Sequence, residues 1–135
     1  MKICMIGAGY VGLVSGACFA DLGNNVYCVD NNKDKIDMLN QGNVPIFEPG
    51  LSELINKNYL SNRLKFTTNL GLAVKSSDII FICVGTPTSK RNKSADLSYV
   101  YKAASQISKY INKFKIIVTK STVPVCTGDK IEKII

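Results

Sequence analysis

Gly7-Ala8-Gly9-Tyr10-Val11-Gly12 is a G-x-G-x-x-G set between a short apolar run, Lys2–Ile6, and a stretch with helical spacing that begins at Tyr10. The next apolar run, Val26–Val29, ends in Asp30, about 20 residues on from the glycine loop, as a dinucleotide fingerprint requires. Each residue type has a physical task. Gly7 lets the backbone turn sharply off the strand. Gly9, without a side chain, lets a pyrophosphate approach the main chain. Gly12 lets the helix pack tightly on the strand. Free N–H groups around Tyr10 and Val11 face the pyrophosphate, and the helix dipole favours its negative charge. Asp30 is placed to accept hydrogen bonds from the adenosine ribose hydroxyls. A carboxylate there repels a 2′-phosphate, so the expected cofactor is NAD rather than NADP, with Lys33 and Lys35 close enough to soften that preference. The plainer alternative is a tight turn with Asp30 as a helix cap; strand, helix and acid in register argue against it.

The same opening stretch, with Lys2, an apolar run and small residues at Ala17–Ala20, mimics a secretory signal. Three fixed glycines break its apolar region and no disulfide framework follows, so the chain is expected to stay uncleaved. Further along, Lys33–Leu39 places Ile36, Leu39 and nearby Met38 on one helical face. "PIFEPG" (Pro45–Gly50) is irregular, because its prolines fix φ and remove donors. Leu51–Leu60 is helical, Leu64–Thr67 a weak strand, and Asn69 the N-cap of a short helix to Lys75. Asp78–Val84 is a strand without alternation, as in a sheet covered on both faces. Gly85–Ala95 reads as loop, Leu97–Ile111 as helix, Lys115–Ser121 as another buried strand, and Thr127–Ile135 as a further helix. Strands alternating with helices predict an α/β, Rossmann-type doubly wound and mainly parallel sheet with helices on both faces.

The 135 residues suffice for one domain with a single sizeable core. No apolar run reaches the length of a membrane span, and no membrane partner is expected. The net charge is +7. The lysines are scattered rather than clustered, which reads as a solvated basic surface and not as a nucleic-acid footprint. With no His, imidazole chemistry is excluded. The five cysteines show no C-x-x-C pair, so no metal site is expected. Cys4, Cys28 and Cys83 lie in apolar runs, the usage of a reduced, cytoplasmic protein. Cys126 opens the last helix, where the dipole can activate a thiol, but no base accompanies it and a bystander role is expected.

In an open parallel sheet, ligands bind beyond the carboxyl ends of the strands. Gly85-Thr86-Pro87 and Ser121-Thr122-Val123-Pro124 put small hydroxyl residues and a proline at two such ends, either lining a nicotinamide ribose or forming ordinary turns.

Taken together, "MKICMIGAGYVGLVSGACFADLG", "VPIFEPGL", "FICVGTPT", "SADLSYV" and "KSTVPVCTG" resemble the N-terminal part of the UDP-glucose/GDP-mannose dehydrogenase family, and of its UDP-glucose 6-dehydrogenases in particular. The resemblance runs from Met1 to Ile135 in matching order. It implies an oxidation of a nucleotide sugar's primary alcohol to a carboxylate with two NAD, through a cysteine thiohemiacetal and thioester. It matches Gly7, Gly9, Tyr10, Val11 and Gly12 to the pyrophosphate loop, Asp30 and Lys35 to the adenosine ribose, and Thr86 and Thr122 to the cofactor and active-site cleft. Thr122 also matches a residue that helps to hold a catalytic water. The family's nucleophilic cysteine matches none of the five cysteines here, and the family usually reads Gly where this chain has Cys126.

The resemblance therefore implies that residues 1–135 are the NAD-binding domain, a fragment without the central helix, the substrate domain and the catalytic cysteine segment. It implies a UDP-sugar substrate and a homo-oligomer for the full-length enzyme. GDP-mannose or a UDP-N-acetylhexosamine are the alternative substrates. A stand-alone NAD-sensing module is the alternative from another class, against which the "QGNVPIFEPGL" insertion argues.

Overall fold

The computed structural model describes residues 1–88 and 94–135. Its elements are β1 (Lys2–Ile6), α1 (Tyr10–Asp21), β2 (Asn25–Val29), α2 (Lys33–Asn40), α3 (Leu51–Leu60), β3 (Leu64–Thr67), α4 (Leu70–Ser76), β4 (Ile79–Ile82), α5 (Ser98–Ser108), β5 (Ile116–Thr119) and α6 (Thr127–Ile134). The strands form one sheet in the order β3-β2-β1-β4-β5, and every pairing is parallel. The sheet is doubly wound as the alternation of elements predicts. The chain leaves β1 towards β2 and β3, then returns across it to β4. The crevice at the carboxyl ends of β1 and β4 is thus a topological switch point.

Alternation along β1 divides the interior in two. Ile3 and Met5 pack with Leu13 and Ala17 of α1, Leu39 of α2 and Ile55 of α3. Cys4 and Ile6 point the other way, against Val74 of α4, Val100, Ala104 and Ile107 of α5, and Ile131 of α6. Residues 1–23, the stretch with the look of a signal, therefore form the central strand and its first helix. Gly23, at φ +88°, ends α1: its N–H donates to Ala20 O and that of Asn24 to Phe19 O. Asn32 and Asn69 cap α2 and α4 by accepting from the backbone N–H of Lys35 and Leu72. The buried Cys4 and Cys83 thiols are pushed up by desolvation to about 12 and about 11, and that of Cys28 rises as well. All three behave as small hydrophobes.

Three expectations need correction. Met38 is 43% exposed while Ile36 and Leu39 are buried. Those two are three residues apart and share a face, whereas Met38 is two beyond Ile36 and turns away. The last strand is not buried: it is the outer strand of this sheet, and Ile116 is 50% exposed. The strand and helix limits also contract: β4 runs only from Ile79 to Ile82 and α5 only from Ser98 to Ser108. Within the loop read at Gly85–Ala95, Thr88 and Ala95 form an isolated antiparallel bridge, and residues 89–93 lie outside the described residues.

The turn from β5 into α6 explains the glycine that the family resemblance calls for at position 126. The Thr127 hydroxyl and amide both donate to Pro124 O, closing the turn, and this forces Cys126 to φ +65°. A side chain in the left-handed region costs about 1–2 kcal/mol, and glycine returns part of that as unfolded-state entropy. Cys126→Gly is therefore expected to stabilise the chain by about 1 kcal/mol, raising the thermal midpoint by about 4 °C. An unchanged or lower midpoint would contradict this account of the turn.

Candidate cofactor-binding site

The glycine loop is shaped by contacts that only glycine tolerates. Gly7 has φ +104°, and a Cβ there would lie 2.6 Å from the carbonyl oxygen of Cys83. Its N–H donates to Val29 O at 2.7 Å, pinning the loop to the end of β2. A Cβ on Gly12 would lie 1.8 Å from Gly7 O. The close approach at Gly12 is therefore between the helix and the loop's own backbone, not chiefly between helix and strand. Gly9 differs from both, since a Cβ there would meet nothing within 4 Å. That space is open to a ligand.

Helix α1 begins immediately beyond. Its first backbone bond runs from Leu13 N to Gly9 O, so the N–H groups of Tyr10, Val11 and Gly12 have no partner within the helix. No acidic residue occupies its first turn. The positive end of the dipole is left for an external anion.

Asp30 sits at the end of β2 with its side chain only 11% exposed. Its Oδ2 accepts from Ala8 N at 2.9 Å and from Lys35 Nζ at 3.0 Å, and its Oδ1 accepts from Asn32 N at 3.0 Å. Burial pushes the carboxyl up, but the donors from Asn32, Lys35 and Ala8 outweigh it, and the group is held below the ordinary aspartate value. Part of the carboxylate is thus committed to the protein. It ties the glycine loop to the start of α2, and Oδ1 keeps capacity for a further donor. Lys35 is held beside it by the cap of α2. Lys33 does not join them: 79% exposed, it pairs with Asp37 at 2.7 Å.

These residues meet in a cleft of about 710 Å³ along the carboxyl edge of the sheet. Of the residues the sequence singles out, Gly7, Gly9, Asp30 and Lys35 line it, with Gly85 at the exit of β4. Tyr10, Val11 and Gly12, which follow Gly9 on α1, are not among its lining residues. Thr86 is half-buried and Thr122 exposed, and neither lines the cleft. Ser121, just before Thr122, donates its hydroxyl to Val84 O at 2.7 Å and so clamps the ends of β4 and β5 together.

The cleft has a wall that the sequence reading missed. Tyr99, Lys102 and Gln106 of α5 line it, opposite Thr68 and Asn69 at the end of β3. The signal was present as a second stripe at helical spacing, 99-102-106, beside the apolar stripe Val100-Ala103-Ala104-Ile107 that covers the sheet. A further unforeseen contact runs from the Tyr10 hydroxyl to Glu48 Oε2 at 2.6 Å. The Glu48 carboxylate holds the Tyr10 phenol above its ordinary value.

Comparison with known proteins places the chain in a family. The chain is 58% identical over 135 residues to a UDP-glucose 6-dehydrogenase of Rhizobium meliloti, covering 100% of itself and 31% of that relative. Among solved structures, it matches a GDP-mannose dehydrogenase from Pseudomonas aeruginosa with TM-score 0.92 and 40% identity, over 97% of this chain and 30% of that one. A UDP-glucose dehydrogenase from Pyrobaculum islandicum matches with TM-score 0.90 and 36% identity, over 97% of this chain and 32% of that one. The chain thus spans about a third of the length of the proteins it is similar to. The sequence profile of the UDP-glucose/GDP-mannose dehydrogenase NAD binding domain matches residues 1–135. From the glycine loop to the last helix, the chain belongs to the UDP-glucose/GDP-mannose dehydrogenase family, of which it forms the NAD binding domain.

Proposed function

We propose that Gly7, Gly9, Tyr10, Val11 and Gly12 seat the pyrophosphate of NAD, and that Asp30 and Lys35 bind its adenosine ribose. The observation that carries this reading is the bond from Ala8 N to Asp30 Oδ2, which brings the ribose-reading acid against the bare amides of α1 at the mouth of the cleft. The open space over Gly9 fits a diphosphate lying against the main chain. The α5 wall gives the adenosine half a floor of ring, amide and ammonium. Thr86 and Thr122 follow β4 and β5 without lining the cleft, and the family resemblance is what supports assigning them to the nicotinamide half and Thr122 to holding a water.

In the whole protein, we infer, this domain serves the oxidation of a UDP-sugar, UDP-glucose by preference. NAD supplies the hydride acceptor. The name of the relative at 58% identity supports the glucose reading, and the likeness to a GDP-mannose dehydrogenase at 40% keeps that sugar as the alternative. Family membership favours a dehydrogenase over a sensing module. The enzyme is proposed to work in the cytoplasm as a homo-oligomer, and no helix among the described residues is long and apolar enough to cross a membrane. Buried Cys4, Cys28 and Cys83 are held as thiols and are unsuited to nucleophilic attack. The 135-residue chain is accordingly expected to bind NAD and to leave UDP-glucose unoxidised; absorbance growth at 340 nm from this chain alone would refute that.

The glycines separate folding from binding. Gly12→Ala forces a Cβ into Gly7 O and is expected to cost about 3 kcal/mol in urea denaturation. Gly9→Ala meets no protein atom, so its stability is expected to stay within about 0.5 kcal/mol while NAD affinity falls at least about tenfold. A Gly9→Ala chain that binds NAD normally would remove the diphosphate from this loop.

The Asp30 carboxylate gives two more outcomes. Calorimetric titration is expected to give a lower dissociation constant for NADH than for NADPH; the reverse order would contradict the role of the carboxylate. Because the folded chain holds this group below its unfolded value near 3.9, its contribution is present above that pH and is lost as pH falls through the folded value. The stability gap between the wild type and Asp30→Asn should therefore be widest near pH 7 and close below about pH 4. A gap in urea midpoint that is independent of pH would contradict this.

A further inference from the structure

We propose that Glu48 is a positioning residue for the cofactor: it holds the Tyr10 side chain off the open face of Gly9 so that the diphosphate can lie against the helix start. The inference rests on the reading of the cleft as the NAD site. Tyr10 is the first residue of α1 and is 54% exposed. No preceding helical turn restricts its χ1, so several staggered positions are open to the ring. The residue before it, Gly9, leaves open space, since a Cβ there would meet nothing within 4 Å beyond its chain neighbours. The 2.6 Å bond from the Tyr10 hydroxyl to Glu48 Oε2 fixes the ring in one of those staggered positions.

Glu48 can serve as a fixed acceptor because its backbone is held from both sides. Leu51 N donates to Glu48 O at 3.0 Å, with Gly50 at φ +79° and ψ −10°. Pro49 followed by a left-handed glycine is the arrangement of a type II turn. Leu51, after the turn, is 3% exposed in the core, and Ile46, before Glu48, packs on the same cluster. Phe47 between them points outward, 94% exposed. The segment that looked merely irregular in sequence is thus anchored at Ile46 and Leu51 and presents one carboxylate to the border of the glycine loop. Glu48 itself does not line the cleft.

The experiment is an NMR titration of the 135-residue chain with NAD and, separately, with adenosine, which lacks the diphosphate. Glu48→Ala and Tyr10→Phe are each expected to weaken NAD binding about fivefold, the scale of one net hydrogen bond. The double variant should be no weaker than either single one, because both remove the same contact. Glu48→Gln keeps an acceptor oxygen without the charge and should bind NAD like the wild type. Adenosine affinity should be unchanged throughout. Unchanged or tighter NAD binding in Glu48→Ala or Tyr10→Phe, additive losses in the double variant, or adenosine weakening in step with NAD would overturn the proposal. A wild-type chain that binds adenosine and NAD equally weakly would overturn the reading of the cleft itself, which is a distinct result.

Discussion

One hydrogen bond organises this domain: the N–H of Ala8, in the middle of the glycine loop, donated to the carboxylate of Asp30. It joins the exits of β1 and β2, which the sheet has already placed side by side. Because Gly7 N also reaches Val29 O, the loop is stitched to the neighbouring strand at two successive residues. The crossing is so tight that neither Gly7 nor Gly12 has room for a methyl group. The consequence is a helix whose first N–H groups are fixed in direction and lack internal partners. An anion arriving there meets donors that need no reorganisation.

The same carboxylate explains why recognition and architecture are hard to separate at this site. Asp30 is oriented by Ala8, Asn32 and Lys35 before any ligand arrives. Lys35 in turn is set by the asparagine cap of α2. A ribose would therefore meet a pre-oriented acid whose charge is already partly balanced. The fold supplies this order cheaply, since cap, strand end and loop are all local to one β-α-β unit. What covers the cleft comes from farther away, on α5 and at the end of β3.

That division also marks what could be read in the sequence. The strand, loop and helix at the start were legible because glycine has few reasons to recur at such spacing, and because the apolar runs lack alternation. The limits of α3 and β3 followed from local pattern alone. Met38 was misplaced because adjacency in sequence is not adjacency on a helix. β5 was read as buried because its residues are apolar, although its place as the outer strand leaves Ile116 half exposed. Lys33 and Lys35 look alike in sequence; only the geometry of the α2 cap sends one to Asp37 and the other to Asp30. The Tyr10–Glu48 bond spans 38 residues and depends on how a proline-glycine turn seats itself on the core, which no local pattern encodes.

The most direct test of the account is an amide proton and nitrogen NMR titration of the 135-residue chain with ADP-ribose, read residue by residue. Diphosphate gripped by the helix start predicts the largest shifts at the N–H groups of Gly9, Tyr10 and Val11, with little movement in the same groups when adenosine is added instead. Shifts concentrated away from these amides, or equal movement with both ligands, would contradict it.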